Sequence, residues 1–151
     1  MSGPTVEPLP ETFREIPVAF IAPPEYKGRV AAVVGQIGPL WGRGWHAGTD
    51  ILLPEGTDLY AGKDGRVRLA GDYNGKEGRM VSIESDDEEV GPFQHLYFHM
   101  SEINVAIGDI VKIGQFIGLS GKTGHVQGPH CHFQLQKYTN GKREFFKPRW
   151  V

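Results

Sequence analysis

Gly128-Pro129-His130-Cys131-His132-Phe133-Gln134-Leu135-Gln136-Lys137-Tyr138-Thr139-Asn140-Gly141 alternates polar and apolar residues and closes on a turn dipeptide. Side chains along a strand repeat every two residues, so His130, His132, Gln134 and Gln136 share one face and Cys131, Phe133 and Leu135 the other. The apolar face belongs to a core and the polar face lines a groove. Asn140 and Gly141 both tolerate positive φ, which marks a tight hairpin between Tyr138 and a return strand through Phe145. Cys131 falls on the core side and reads as a small buried hydrophobe, neither ligand nor nucleophile.

The same texture extends in both directions. Short apolar stretches at Arg29–Val34, Asp58–Ala61, Arg66–Ala70, Met80–Glu84, Leu96–Met100, Ile110–Ile113 and Phe116–Leu119 are separated by glycine-centred turns. Glycine makes up 21 of the 151 residues, about twice its usual share of roughly 7%. No window of ordinary helix length keeps a 3.6-residue apolar period free of it. The spacing predicts an all-β, mainly antiparallel sandwich or barrel-like assembly. Gly56-Thr57-Asp58-Leu59-Tyr60-Ala61 with Gly65-Arg66-Val67 is echoed by Gly108-Asp109-Ile110-Val111 with Gly114-Gln115-Phe116-Ile117-Gly118, each a turn, a strand, a turn and a strand. Small β proteins also reuse such pieces without duplication.

Composition removes several function classes. The length suits one domain. The net charge of −2 lacks the basic excess of an electrostatic nucleic-acid binder. A single cysteine excludes an internal disulfide and a cysteine-based zinc knuckle. No apolar run approaches the roughly 18 residues of a membrane span. Met1-Ser2-Gly3-Pro4 and the acidic, proline-rich residues after it do not read as a signal peptide. Six of the eleven prolines lie in the first 24 residues. Residues 1–25 therefore read as an extended leader, with Val18–Ala22 apolar enough to dock as an edge segment, and residues 26–151 as the domain.

The six histidines carry the chemistry. In His46-Ala47-Gly48-Thr49-Asp50 the glycine and the β-branched threonine disfavour a helix, and residues four apart in an extended chain point the same way. His46 and Asp50 can then converge on one cation. His130 and His132 share a strand face. Histidine and carboxylate suit zinc, and three protein ligands leave a fourth position for water. Each piece alone has a bland reading as polar surface; together in one small domain they favour a metal. His95, Tyr97 and His99 form a further alternating set, with Leu96 and Phe98 opposite. Asp86-Asp87-Glu88-Glu89 reads as a solvated acidic turn.

With these pieces in order, the chain resembles the lysostaphin-type (LytM-like) zinc peptidoglycan endopeptidases from about Gly42 to Phe133. His46-x-Gly48-x-Asp50 matches the first metal motif, and Asp64-Gly65-Arg66-Val67 the strand pair after it. Tyr97-Phe98-His99-Met100-Ser101 matches the family's tyrosine–x–histidine–leucine–serine segment. Val105, Gly108-Asp109, Gly114-Gln115 and Ile117-Gly118 match the glycine-punctuated run, and Gly128-Pro129-His130-Cys131-His132-Phe133 the closing motif. Thr49, Met100 and Cys131 depart from the usual aliphatics at their positions.

The resemblance implies a duplicated hybrid, barrel-sandwich domain with an active-site groove. It implies Zn2+ held by His46, Asp50 and His132, with His99 and His130 free as the catalytic pair. Tyr97 and His125 are expected to contact substrate. The substrate implied is bacterial peptidoglycan, at peptide cross-links or stem peptides, and the site of action the cell wall. A phage lysin, a component of a larger virion or cell-wall assembly, and a secreted domain freed of its leader all fit that reading. Two rivals stay open: a non-catalytic module of the same fold that binds wall peptide or activates another hydrolase, and a small β carrier modified on one histidine.

Overall fold

A computed structural model describes residues 8–38, 41 and 43–151. The extended start of the leader at residues 1–7, and Gly42 at the start of the resemblance, lie outside the described residues. The stretch at 131–139 is a strand as its alternation predicts, and it organises the fold. In chain order the strands are β1 (Glu15–Val18), β2 (Val30–Ala32), β3 (Thr49–Ile51), β4 (Asp58–Tyr60), β5 (Gly65–Asp72), β6 (Arg79–Asp87), β7 (Gly91–Met100), β8 (Glu102–Ile103), β9 (Ile110–Val111), β10 (Phe116–Leu119), β11 (Cys131–Thr139) and β12 (Lys142–Trp150). One 3-10 turn, Pro24–Tyr26, interrupts them.

Among the described residues the larger sheet runs β1-β12-β11-β7-β6-β5-β9, with β3 also pairing β11 and β2 pairing β3. A smaller sheet runs β4-β10-β8. The β11–β12 hairpin turns at Asn140 and Gly141, with φ of 52° and 78°, the positive values that a two-residue turn requires. The sequence echo has a structural counterpart. β4 of the first copy pairs β10 of the second, and β9 of the second pairs β5 of the first. Leu59 and Val67 of the first copy and Val111 and Ile117 of the second are all fully buried.

The folded unit begins before residue 26. β1 joins the edge of the large sheet in parallel with β12, and Ile16, Val18 and Ile21 enter the main core. The apolar segment therefore adds core area rather than lying along the outside. The acidic turn also differs from its reading. Asp87 is buried; it accepts the backbone N–H groups of Glu89 and Val90 and faces Lys63 at 3.6 Å.

A larger difference arises in β7. Arg79 pairs with Met100 and Val81 with Tyr97, so the single residue Met80 on β6 faces both Phe98 and His99. This two-against-one bulge puts His99 in the left-handed region at φ 65° and breaks the alternation. Phe98 and His99 consequently both line the groove, whereas Tyr97 turns into the core. The expectation that Tyr97 contacts substrate is thereby corrected.

Tyr97 instead belongs to a closed chain of buried hydrogen bonds. Gly62 N–H donates to its hydroxyl, which donates to His95 Nδ1; His95 Nε2–H donates to Ser85 Oγ, and Ser85 donates to the Asp64 carbonyl. Every group in the chain is satisfied while His95 is neutral. Burial pushes the His95 imidazole down to about 3. The unfolded chain takes up that proton near the ordinary histidine value of 6.5, so stability is complete above it and is lost as pH falls towards 3. Around pH 5 His95 contributes a slope of about 1.4 kcal/mol per pH unit. Denaturant titrations in chelator at pH 4.5–6.5 are expected to show a slope for His95→Gln reduced by about that amount.

Candidate metal centre

The pairing of β11 with its two neighbours builds the site. His132 lies opposite Asp50 of β3 on one side and Phe98 of β7 on the other. His46 lies three residues before β3 and is buried. Gly48 lets the two segments close: a Cβ there would sit 2.5 Å from His132 Nε2 and 2.8 Å from the Phe133 carbonyl oxygen. A glycine between the two motif residues is therefore a packing requirement of the second histidine.

Three ligand atoms converge. His46 Nε2 is 3.2 Å from Asp50 Oδ2, and His132 Nδ1 is 2.9 Å from Asp50 Oδ1. All three groups offer atoms within 4.8 Å of one another. Two nitrogens and a carboxylate oxygen at bond lengths of about 2.0–2.2 Å would stand roughly 3.3 Å apart around a tetrahedral zinc. The donor set and its spacing fit that ion. His46, Asp50 and His132 are the residues that could hold it.

Hydrogen bonds select which ring nitrogens face this centre. His46 Nδ1–H donates to the Val33 carbonyl, and His132 Nε2–H to Gln134 Oε1. His99 Nδ1–H donates to the Thr123 carbonyl, and His130 Nδ1–H to the Gly128 carbonyl. In the tautomers that put a proton on each of these nitrogens, a neutral ring leaves its other nitrogen open to a metal or a proton. Those nitrogens are Nε2 of His46, His99 and His130, and Nδ1 of His132. His130 Nε2 lies 3.8 Å from Asp50 Oδ1, and the His99 and His130 rings are 4.8 Å apart.

The electrostatics follow. Burial by itself would raise the Asp50 carboxyl, but without a metal, hydrogen bonds and positive charge from His132 and His46, which require a proton on the nitrogen facing the carboxylate, outweigh it and hold Asp50 well below the usual carboxylate range. Burial, reinforced by His130, lowers His99 to about 4. His99 is thus a neutral imidazole at neutral pH, with Nε2 able to accept a proton.

A groove of about 1450 Å³ runs over the four rings. Its floor is the polar face of β11 with Leu96 and Phe98 of β7. One wall comes from residues 125–130 and the other includes Trp41 and Trp45.

These features have counterparts in known proteins. A profile described as peptidase family M23 matches residues 44–144. The chain belongs to peptidase family M23. It is 41% identical over 91 residues to the glycyl-glycine endopeptidase ALE-1 of Staphylococcus capitis, a match covering 60% of this chain and 24% of ALE-1. It is 40% identical over 90 residues to the peptidoglycan DD-endopeptidase ShyA of Vibrio cholerae, covering 60% of this chain and 20% of ShyA. The chain thus spans about a quarter or less of the length of these relatives. Its fold matches the catalytic domain of the antimicrobial peptidase lysostaphin from Staphylococcus simulans with a TM-score of 0.68 at 32% identity, covering 80% of this chain and 89% of that domain.

In this M23 chain the five histidine and aspartate positions singled out from the sequence, His46, Asp50, His99, His130 and His132, meet at one end of the groove floor. His125 is exposed on the wall, its backbone N–H bonded to the Lys76 carbonyl. Several contributors escaped the sequence reading. Trp41 packs on His46 at 4.7 Å and Phe98 stacks on His132 at 4.8 Å. Thr123 aims its carbonyl at His99 because its hydroxyl bridges Arg79 N–H and the Met100 carbonyl. Gln134 was visible on the polar face of β11, but its partnership with His132 required the rotamers. No helix among the described residues is long and apolar enough to cross a membrane.

Proposed function

We propose that this chain is a zinc-dependent endopeptidase that hydrolyses peptide cross-links or stem peptides of bacterial peptidoglycan. The observation that carries this reading is the convergence of four imidazoles around Asp50, His46 and His132 beside its carboxylate in ligand positions, His130 3.8 Å from it and His99 4.8 Å from His130 ring to ring. Family membership and the relatives' names support it.

His46 Nε2, Asp50 and His132 Nδ1 would hold the ion. Bound zinc supplies Lewis-acid polarisation of the scissile carbonyl and a water acidic enough to be a nucleophile at neutral pH. His99 and His130 handle the protons. One Nε2 accepts the proton of the attacking water as the carbon–oxygen bond forms, then returns it to the leaving amine as the carbon–nitrogen bond breaks. The second ring, protonated at Nε2 from solvent and so an imidazolium, donates to the oxyanion of the tetrahedral intermediate. Nδ1–H bonds to Thr123 and Gly128 keep both rings turned to the groove throughout. The groove floor and walls admit an extended peptide, and His125 is placed to touch it.

The test is digestion of purified peptidoglycan by zinc-loaded protein, with fragments identified by mass spectrometry. The names of the relatives span glycyl-glycine and DD bonds, so walls of both cross-link types belong in it. New amine termini at one defined peptide bond are expected. Zinc bound with no fragment released from any wall would favour the non-catalytic binding module.

A further inference from the structure

His132 presents a problem of proton placement that the ligand set does not solve. Both of its nitrogens face oxygens, Nδ1 towards Asp50 at 2.9 Å and Nε2 towards Gln134 at 2.9 Å. A neutral ring has one N–H. Asp50 attracts it to Nδ1, where it would block the position a metal must take. Gln134 attracts it to Nε2, which leaves Nδ1 available. Gln134 can do so only while its amide oxygen faces the ring. Flipped by half a turn, its NH2 would donate to Nε2 and drive the proton to Nδ1.

The flip is decided one residue pair further along β11. Gln134 Nε2 donates to Gln136 Oε1 at 2.7 Å. Gln134 and Gln136 are both buried on the groove floor, where turning the Gln134 amide would lose this bond and bring two oxygens together. We infer that Gln136 is a positioning residue for the metal centre: through Gln134 it fixes the tautomer of His132, and so sets how readily the site takes up zinc. Histidine ligands to zinc are generally oriented by the acceptor on their other nitrogen. What this chain adds is a second amide that decides which end of that acceptor is presented.

The inference rests on the proposed zinc site, and a carboxylate supplies its discriminating test. Glutamate at position 134 has two oxygens and no donor, so it needs no orienting partner. Zinc affinity is measured by chelator competition on the 151-residue chain for the wild type, Gln136→Leu, Gln134→Glu and the double variant. Gln136→Leu is expected to weaken zinc binding about ten-fold, within the range of roughly 10- to 100-fold seen for changes beyond the ligands themselves. The same change made on the Gln134→Glu background is expected to cost less than about two-fold. Equal losses on the two backgrounds would mean that Gln136 merely packs, and would overturn the inference.

A second readout separates this from the metal reading. Nitrogen chemical shifts of metal-free protein at pH 8.5 report which nitrogen of His132 carries hydrogen. Nε2–H is expected in the wild type, with a shift towards Nδ1–H in Gln136→Leu. An unchanged tautomer overturns the relay whatever the zinc result. Absence of zinc binding by the wild type, with the tautomer shift present, overturns the metal site and leaves the relay standing.

Discussion

His132→Ala is expected to lose zinc and peptidase activity together. His132 Nδ1 is one of three atoms within 4.8 Å of one another, and no other described histidine offers a replacement in that geometry. His130 Nε2 stands 3.8 Å from Asp50, on the same oxygen that His132 approaches to 2.9 Å, and its Nδ1–H is bound to Gly128. The remaining His46 and Asp50 make a two-ligand site. Zinc affinity should therefore fall by more than the roughly 100-fold that changes behind the ligands cost. Metal content after dialysis, chelator competition and peptidoglycan digestion measure the two losses. Far-UV circular dichroism checks that the sheet persists, which is expected because the core face of β11, Cys131, Phe133 and Leu135, is untouched. A variant that kept stoichiometric zinc would show that His132 is not a ligand and that the adjacent His130 takes that place.

Much of this arrangement is legible in the sequence, for identifiable reasons. The period of two in residues 130–136 assigns faces because one side of β11 meets a core and the other a groove. Asn140-Gly141 fixes the register of the last hairpin because few other residue pairs adopt its turn. His46 and Asp50 sit on one extended segment, so their convergence needs no tertiary knowledge. The failures have an equally specific origin. One inserted residue in β7 reverses the parity of everything beyond it, so Tyr97 and His99, which alternation places together, lie on opposite sides of the sheet. No residue type in Tyr97-Phe98-His99 announces that bulge. Val18–Ala22 was legible as an edge segment, but its contribution to the core depends on the parallel partner strand β12 over 120 residues away in the chain. Backbone carbonyls, such as those of Val33, Thr123 and Gly128, are the hardest to foresee. Their identity carries no chemistry in a sequence, yet here they decide which nitrogen of each histidine faces the groove.

His130→Ala provides the complementary result: zinc retained, activity lost. The side chain approaches Asp50 only to 3.8 Å, farther than either ligand nitrogen, 3.2 Å for His46 and 2.9 Å for His132. Its removal leaves the three ligand atoms and the hydrogen bonds from His46 to Val33 and from His132 to Gln134 in place. Zinc affinity should change by less than about three-fold, while kcat falls by about 10²–10⁴, the usual worth of a positioned general acid or base. His99→Ala should lose activity over the same range, again with zinc bound. Its backbone sits at φ 65°, which alanine tolerates poorly, so stability in chelator has to be compared alongside. The decisive comparison is the double variant. If the two imidazoles act as a unit on one proton path, removing both costs little more than removing either, as for other catalytic groups that work together. If each stabilised a separate charge independently, the losses would multiply. Multiplied losses, measured as kcat on zinc-saturated protein, are the expected outcome, because one ring moves the proton and the other holds the oxyanion; near-equality of the single and double variants would place both rings, 4.8 Å apart, on one proton path. Loss of zinc in His130→Ala would instead exchange the assigned roles of His130 and His132.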